Sequence, residues 1–161
     1  MSVLSKIALG GGCHWCTEAV FQSLKGVEEV KQGFVASEAE HSSFSEAVIV
    51  HFYPREISLF QLIEVHLMTH QSSSLHSMRY KYRSAIYTFD ALQEERAKLY
   101  LTEFKKGNSK IITEVLAFKE FKASREEIQN YYLKGSQKPF CTRYISPKLK
   151  SLEKNFKDLL A

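Results

Sequence analysis

The chain is poor in the residues that loosen or staple a polypeptide. Seven of its 161 residues are glycine and three are proline, too few for a long flexible linker, and no internal repeat or low-complexity stretch interrupts it. A single domain over residues 1–161 is expected, of a size that can bury one sizeable core. No apolar run approaches the roughly 20 residues of a membrane span. The opening Met1-Ser2-Val3-Leu4-Ser5-Lys6 has no apolar h-region, so a cytoplasmic protein with no membrane partner is expected. Three cysteines, an odd number, argue against a disulfide-stapled secreted domain and leave metal, redox or nucleophilic chemistry. The charge excess is small, 22 Lys and Arg against 18 Asp and Glu. Its densest groups, Lys105-Lys106 and Lys148/Lys150/Lys154/Lys157, carry no nucleic-acid signature and are read as solvated helix surface, with no nucleic-acid partner.

What is present alternates between two periods. Apolar residues suggest a strand over 7–9, a helix over 15–24 ended by Gly26, and strands over 27–35 and 45–53, the second closed by Pro54. Ser58 is placed to cap a helix. Residues 72–81 are polar and irregular. A strand over 84–89 and an amphipathic helix over 91–106 follow, then a strand over 111–118, a helix capped by Ser124, and a final helix over 147–160. This succession predicts an α+β fold, a two-layer sandwich with a mixed sheet and a ferredoxin-like core.

The chemistry concentrates at Gly10-Gly11-Gly12-Cys13-His14-Trp15-Cys16-Thr17-Glu18. A thiol at a strand-to-helix turn meets unpaired amide N–H groups and the positive end of the helix dipole, and both favour the thiolate. The C-x-x-C spacing is open to three readings. It suits a thioredoxin-like redox pair, half of a zinc site without a matching second half, or two small buried residues at a turn. His51, His66, His70 and His76 form no metal-like spacing, and no metal or bound cofactor is expected.

Five stretches in order resemble the A-type peptide methionine sulfoxide reductases. The first, Gly12-Cys13-His14-Trp15-Cys16-Thr17-Glu18, resembles the family's G-C-F-W-x-x-E signature. Ser45-Glu46-Ala47-Val48 with Tyr53-Pro54 resembles its H-x-E-A-V and D-P run, and Tyr82-Arg83-Ser84-Ala85-Ile86-Tyr87 its Y-R-S-A-I-Y strand. Gln129-Asn130-Tyr131-Tyr132-Leu133 resembles its H-Q-x-Y-L helix, and Pro139-Phe140-Cys141 with Pro147-Lys148-Leu149 its tail. The resemblance implies a reductase of methionine S-sulfoxide in peptides or free. Cys13 would be the nucleophile, Glu46 the proton donor, and Cys16 and Cys141 the resolving thiols. His14, Trp15 and Tyr82 would contact substrate, and Glu18 would support the helix start. Thioredoxin, or dithiothreitol in vitro, would be the reductant, oxidised proteins the substrates, and a monomer the working form. A disulfide oxidoreductase of thioredoxin type, or an impaired binder of oxidised methionine, is the alternative. His14 stands where the family has phenylalanine. The segments 34–45 and 71–81 are short, without the N-P-T-Y loop, and Ser77 stands where the family has an aspartate.

Overall fold

A computed structural model describes residues 3–70, 82–135, 143 and 145–161. Among these residues six strands form one mixed sheet: β1 (Ser5–Gly10), β2 (Val27–Ala36), β3 (Ser45–Phe52), β4 (Ala85–Thr88), β5 (Glu114–Ala117) and β6 (Glu120–Ala123). The spatial order is β5-β4-β1-β3-β2-β6. The inner four, β4-β1-β3-β2, are antiparallel, and β5 alone runs parallel to its neighbour β4. With α1 (His14–Gln22) following β1 and α2 (Leu59–Thr69) following β3, this is the expected ferredoxin-like core in a mixed sheet. Helix α3 (Ala91–Gly107) makes the crossover from β4 to β5, and α4 (Tyr131–Lys134) and α5 (Ser146–Asn155) complete the chain.

The inner strands β1, β3 and β4 are buried on both sides over most of their length, so their sequences are nearly continuous apolar runs. Ile7, Leu9, Val48 and Val50 face the helices and pack on Phe21, Leu62, Ile63, Leu101 and Leu152. Ala8, Val35, Ala47, Ile49 and Tyr87 form a second cluster, flanked by Phe89, Phe118 and Phe121. That cluster is enclosed because the sheet curls. Only Phe118 and Lys119 separate β5 from β6, which lie at opposite edges. Three residue steps reach at most about 11 Å, whereas a flat sheet would set its outer strands about 24 Å apart. The link itself fixes the curl: Phe118 N–H donates to Thr88 O at the end of β4 (2.9 Å), and Lys119 N–H to Ala36 O at the end of β2 (3.1 Å).

Several boundaries depart from the sequence reading. Ser23, not Gly26, closes α1, and Gly26 lies in the turn to β2. The strand over 111–118 is confined to the four residues of β5. Ser124 caps no helix: residues 120–123 are taken up by β6, and a 3-10 turn over Glu126–Ile128 precedes the single turn of α4. Asn130 sits between them in the left-handed region (φ 57°), which asparagine tolerates and which interrupts a continuous helix. The final helix ends at Asn155, with Pro147 in its first turn. Beyond it Leu159 O accepts from Lys25 N–H (2.7 Å), returning the tail to the end of α1. Ser58 does cap α2, in a reciprocal box with Gln61. The irregular segment 72–81 lies outside the described residues, and among those described no helix is long and apolar enough to cross a membrane.

Gly33 is where β2 and β6 touch most closely. A Cβ there would stand 2.4 Å from Lys122 O and 2.7 Å from the Phe121 ring. Gly33→Ala is expected to lower stability by about 1–3 kcal/mol, seen as an earlier urea midpoint. An unchanged midpoint would contradict that packing.

Candidate active site

Strand β1 delivers the chain to a turn that two elements clamp from behind. From α2, buried His66 Nε2–H donates to Gly10 O (2.7 Å), and His70 Nδ1–H donates to the His66 carbonyl. His70 Nε2 then accepts from Ser84 Oγ (2.8 Å), which lies 2.7 Å from Thr113 Oγ1. Gly11 has a positive φ of 154°, and a Cβ there would meet the His70 ring at 2.5 Å. Only glycine fits between the turn and that ring. The two histidines therefore buttress the loop, a role that residue spacing did not reveal.

Cys13 is the N-cap of α1. Its carbonyl accepts Cys16 N–H (3.0 Å), Thr17 N–H (3.1 Å) and the Thr17 hydroxyl (3.2 Å), which holds its side chain at the first turn. The Cys16 side chain, chiefly, and the amides of Trp15 and Cys16 hydrogen-bond its thiol and bring its pKa down to about 7, against the opposing pull of burial and of the Glu46 charge. Cys13 is half-buried, whereas Cys16 is buried against Ala19 and Ile145.

Glu46 reaches the same turn from β3, on the face it shares with Val48 and Val50. It is 5% exposed. Its Oε1 accepts His14 N–H (3.2 Å) and lies 2.8 Å from His14 Nδ1. The other ring nitrogen, Nε2, is 3.4 Å from Ser124 Oγ, and the ring meets Phe34 edge-on at 5.2 Å. His14 is thus buried beside the acid rather than spread as an open wall. Trp15 stacks on Tyr131 (4.4 Å between centroids, 15° between planes). Tyr82 is half-buried at the entry to β4. The next residue, Arg83, donates its N–H to Ser45 Oγ (2.7 Å), which ties the entry to β4 to the residue before Glu46 on β3.

Glu18 does not support the start of α1. It is fully buried in the helix and caps α4: Asn130 N–H donates to Oε2 (2.9 Å) and Tyr131 N–H to Oε1 (3.1 Å), with Gln32 Nε2–H on Oε1 as well (3.1 Å). This fixes Tyr131 where Trp15 meets it. Gln129 adds a bridge, accepting from Gln32 N–H (3.1 Å) and donating to Gln32 O (2.7 Å) and Ser124 O (3.1 Å). Ser124, which the sequence presents only as a helix cap, and Tyr131, to which it gives no role, are site residues. The Gln-Asn-Tyr-Tyr-Leu stretch is the signal for Tyr131, and Ser124 has none.

The structure thus brings together Cys13, His14, Trp15, Cys16 and Glu46. Cys141 lies outside the described residues. Among those described, no cluster of histidine, cysteine and acid is placed to hold a metal ion. A nucleophilic thiol, a buried carboxyl and an aromatic pair gathered around the first turn of α1 can carry a substitution at an electrophilic centre that bears a small apolar group.

Comparison with known proteins agrees with this geometry. The family described as peptide methionine sulfoxide reductase matches residues 5–160. The peptide methionine sulfoxide reductase MsrA of Acinetobacter baumannii strain AYE is 30% identical, over 98% of this chain and 99% of its own. The reduced form of Mxr1 from Saccharomyces cerevisiae has the same fold (TM-score 0.75, 22% identity, 86% of this chain and 89% of that one). So does Mxr1 solved in complex with Trx2 (TM-score 0.60, 20% identity, 77% and 83%).

Alkylation of Cys13 by iodoacetamide should accelerate with pH about a midpoint near 7. In Cys16→Ala the midpoint should move up, because the main stabiliser of the thiolate is gone; an unmoved midpoint would place that stabilisation elsewhere. A second test concerns Glu18, whose burial raises its carboxyl above 4.5. Just above 4.5 the folded protein retains a proton that the unfolded chain has lost, so this group's contribution to stability falls as pH rises. Urea denaturation of wild type and Glu18→Gln from about pH 4 to about pH 8 should show the difference shifting toward the variant as pH rises.

Proposed function

Because this chain belongs to the A-type peptide methionine sulfoxide reductases, oxidoreductases that return methionine sulfoxide to methionine, we propose that Cys13 attacks the sulfoxide sulfur. The observation that carries this assignment is a half-buried thiol with a pKa of about 7 beside a carboxyl that is 5% exposed. At neutral pH a substantial fraction of Cys13 is thiolate. Its attack breaks the sulfur–oxygen bond of the substrate only if the departing oxygen is protonated. Glu46 gives that proton, and Tyr82 hydrogen-bonds the same oxygen. Thiolate, sulfoxide and one proton become a sulfenic acid and a thioether. The Cys13 sulfur is oxidised by two electrons and the substrate sulfur reduced by two.

Trp15 and Tyr131 supply the apolar surface for the substrate's methyl group. The S epimer is the one accepted, in keeping with the division of epimers between the two reductase types. The sulfenic acid is then attacked by a second thiol, water leaves, and a disulfide forms. The Cys16 side chain already hydrogen-bonds Cys13, which favours it as first resolver, and Cys141 is the second resolving thiol, to which the disulfide passes. A dithiol such as thioredoxin restores the enzyme, a role supported by the likeness to a yeast protein solved with Trx2.

Anaerobic incubation with a methionine-S-sulfoxide peptide and dithiothreitol tests the reading. Wild type should form methionine, Cys13→Ser none, and Glu46→Gln about a hundredfold less per unit time. Cys13→Ser performing as wild type would refute it. Mass spectrometry after one turnover should find the Cys13–Cys16 or Cys16–Cys141 disulfide; its absence would refute the resolving scheme.

A further inference from the structure

Each turnover written above consumes one proton at a carboxyl that water scarcely touches. Glu46 is 5% exposed and His14 4%, and a substrate seated over Cys13 would close the site further. While substrate is seated, a supply through the protein is the route that stays open. On the side away from Cys13, His14 stands between the acid and a hydroxyl: Glu46 Oε1 is 2.8 Å from His14 Nδ1, and His14 Nε2 is 3.4 Å from Ser124 Oγ. The first of these is within transfer distance although the ring N–H is not aligned on the acid, and the ring must swing onto it in the working complex. Ser124 in turn lines a groove of about 660 Å³ between β2, β6 and the start of α4, with Lys31, Phe121, Gln129 and Asn130 on its walls. The backbone of Ser124 is pinned on both sides, its N–H to Gln32 O (3.0 Å) and its carbonyl to Gln129 (3.1 Å).

We infer that His14 is a proton relay that reloads Glu46 from water in this groove by way of Ser124. The inference rests on Glu46 being the proton donor to the sulfoxide oxygen. Imidazole suits the task because it accepts a proton at one nitrogen while releasing one from the other. Water in the groove protonates Nε2 through the Ser124 hydroxyl, and the Nδ1–H bond breaks as an O–H bond forms on Glu46. Tautomer exchange of the neutral ring then restores the starting form. No electrons move, and one proton crosses per methionine released. His14 does not touch the reacting sulfur and acts through Glu46, as a positioning and relay residue.

The test is steady-state turnover of a methionine-S-sulfoxide peptide by the full chain, with dithiothreitol as reductant. His14→Phe keeps a flat ring against Phe34 and His14→Gly leaves a space the size of imidazole. Both should lose about tenfold or more in kcat, with KM held within about twofold of wild type. Added imidazole should restore His14→Gly in a concentration-dependent way and leave wild type unaffected. Ser124→Ala should slow turnover less, since water can take the place of its hydroxyl. Full kcat in both His14 variants, or a loss that imidazole does not repair, would overturn the relay. Failure of the wild type itself to form methionine would instead overturn the reading on which the relay rests.

Discussion

A buried carboxylate without a cation among its hydrogen-bond donors organises this molecule. Glu18 lies inside α1 and satisfies its oxygens with two backbone amides of the segment entering α4 and the side-chain amide of Gln32 on β2. Each of these bonds is buried or part-buried, and leaving a buried partner unmatched costs about 1–3 kcal/mol. The three elements are therefore locked to one another by the same side chain. Burial raises its pKa, so the lock is held against a standing electrostatic cost. Three donors make that cost bearable where one would not.

The functional turn depends on that lock. Fixing Tyr131 places one aromatic plane against Trp15, and fixing Gln32 and Gln129 places Ser124 against His14. From the other side α2 grips the glycine turn through His66 and His70. Cys13 is left with little freedom except at its thiol, which is the freedom a nucleophile needs. Exchange of a hydrophobic ring for His14 next to Glu46 changes the character of the acid's surroundings. An apolar neighbour would act only by desolvation, whereas an imidazole at 2.8 Å also sets a polar nitrogen against the acid.

Much of this was legible in the sequence. The ferredoxin-like core followed from the order of alternating and helical patterns, Cys13 and Cys16 stood out by their C-x-x-C spacing at a strand-to-helix turn, and Trp15 and Glu46 took a role only from the resemblance to the reductase family. Local patterns failed where long-range contacts decide structure. Nothing in residues 120–134 distinguishes a capped helix from the short strand β6, a 3-10 turn and a single helical turn. The difference is made by pairing with β2 and by Glu18, 112 residues away from Asn130. For the same reason Glu18 read as a support for its own helix, and the His66–His70–Ser84 chain as unremarkable histidines. Ser124 read as a cap because serine before acidic residues usually is one.

The curled sheet also bears on how the protein meets other chains. An open sheet presents two rows of unpaired amides and carbonyls, to which any extended segment can add itself as a further strand. Here β5 and β6, the only edges among the described strands, are four residues each and carry Glu114, Glu120 and Lys122. Their common link is tied down at both of its amides. An extended segment of another chain therefore finds only two short, charged edges among the described strands. The same link that closes the sheet thus also limits strand addition to it.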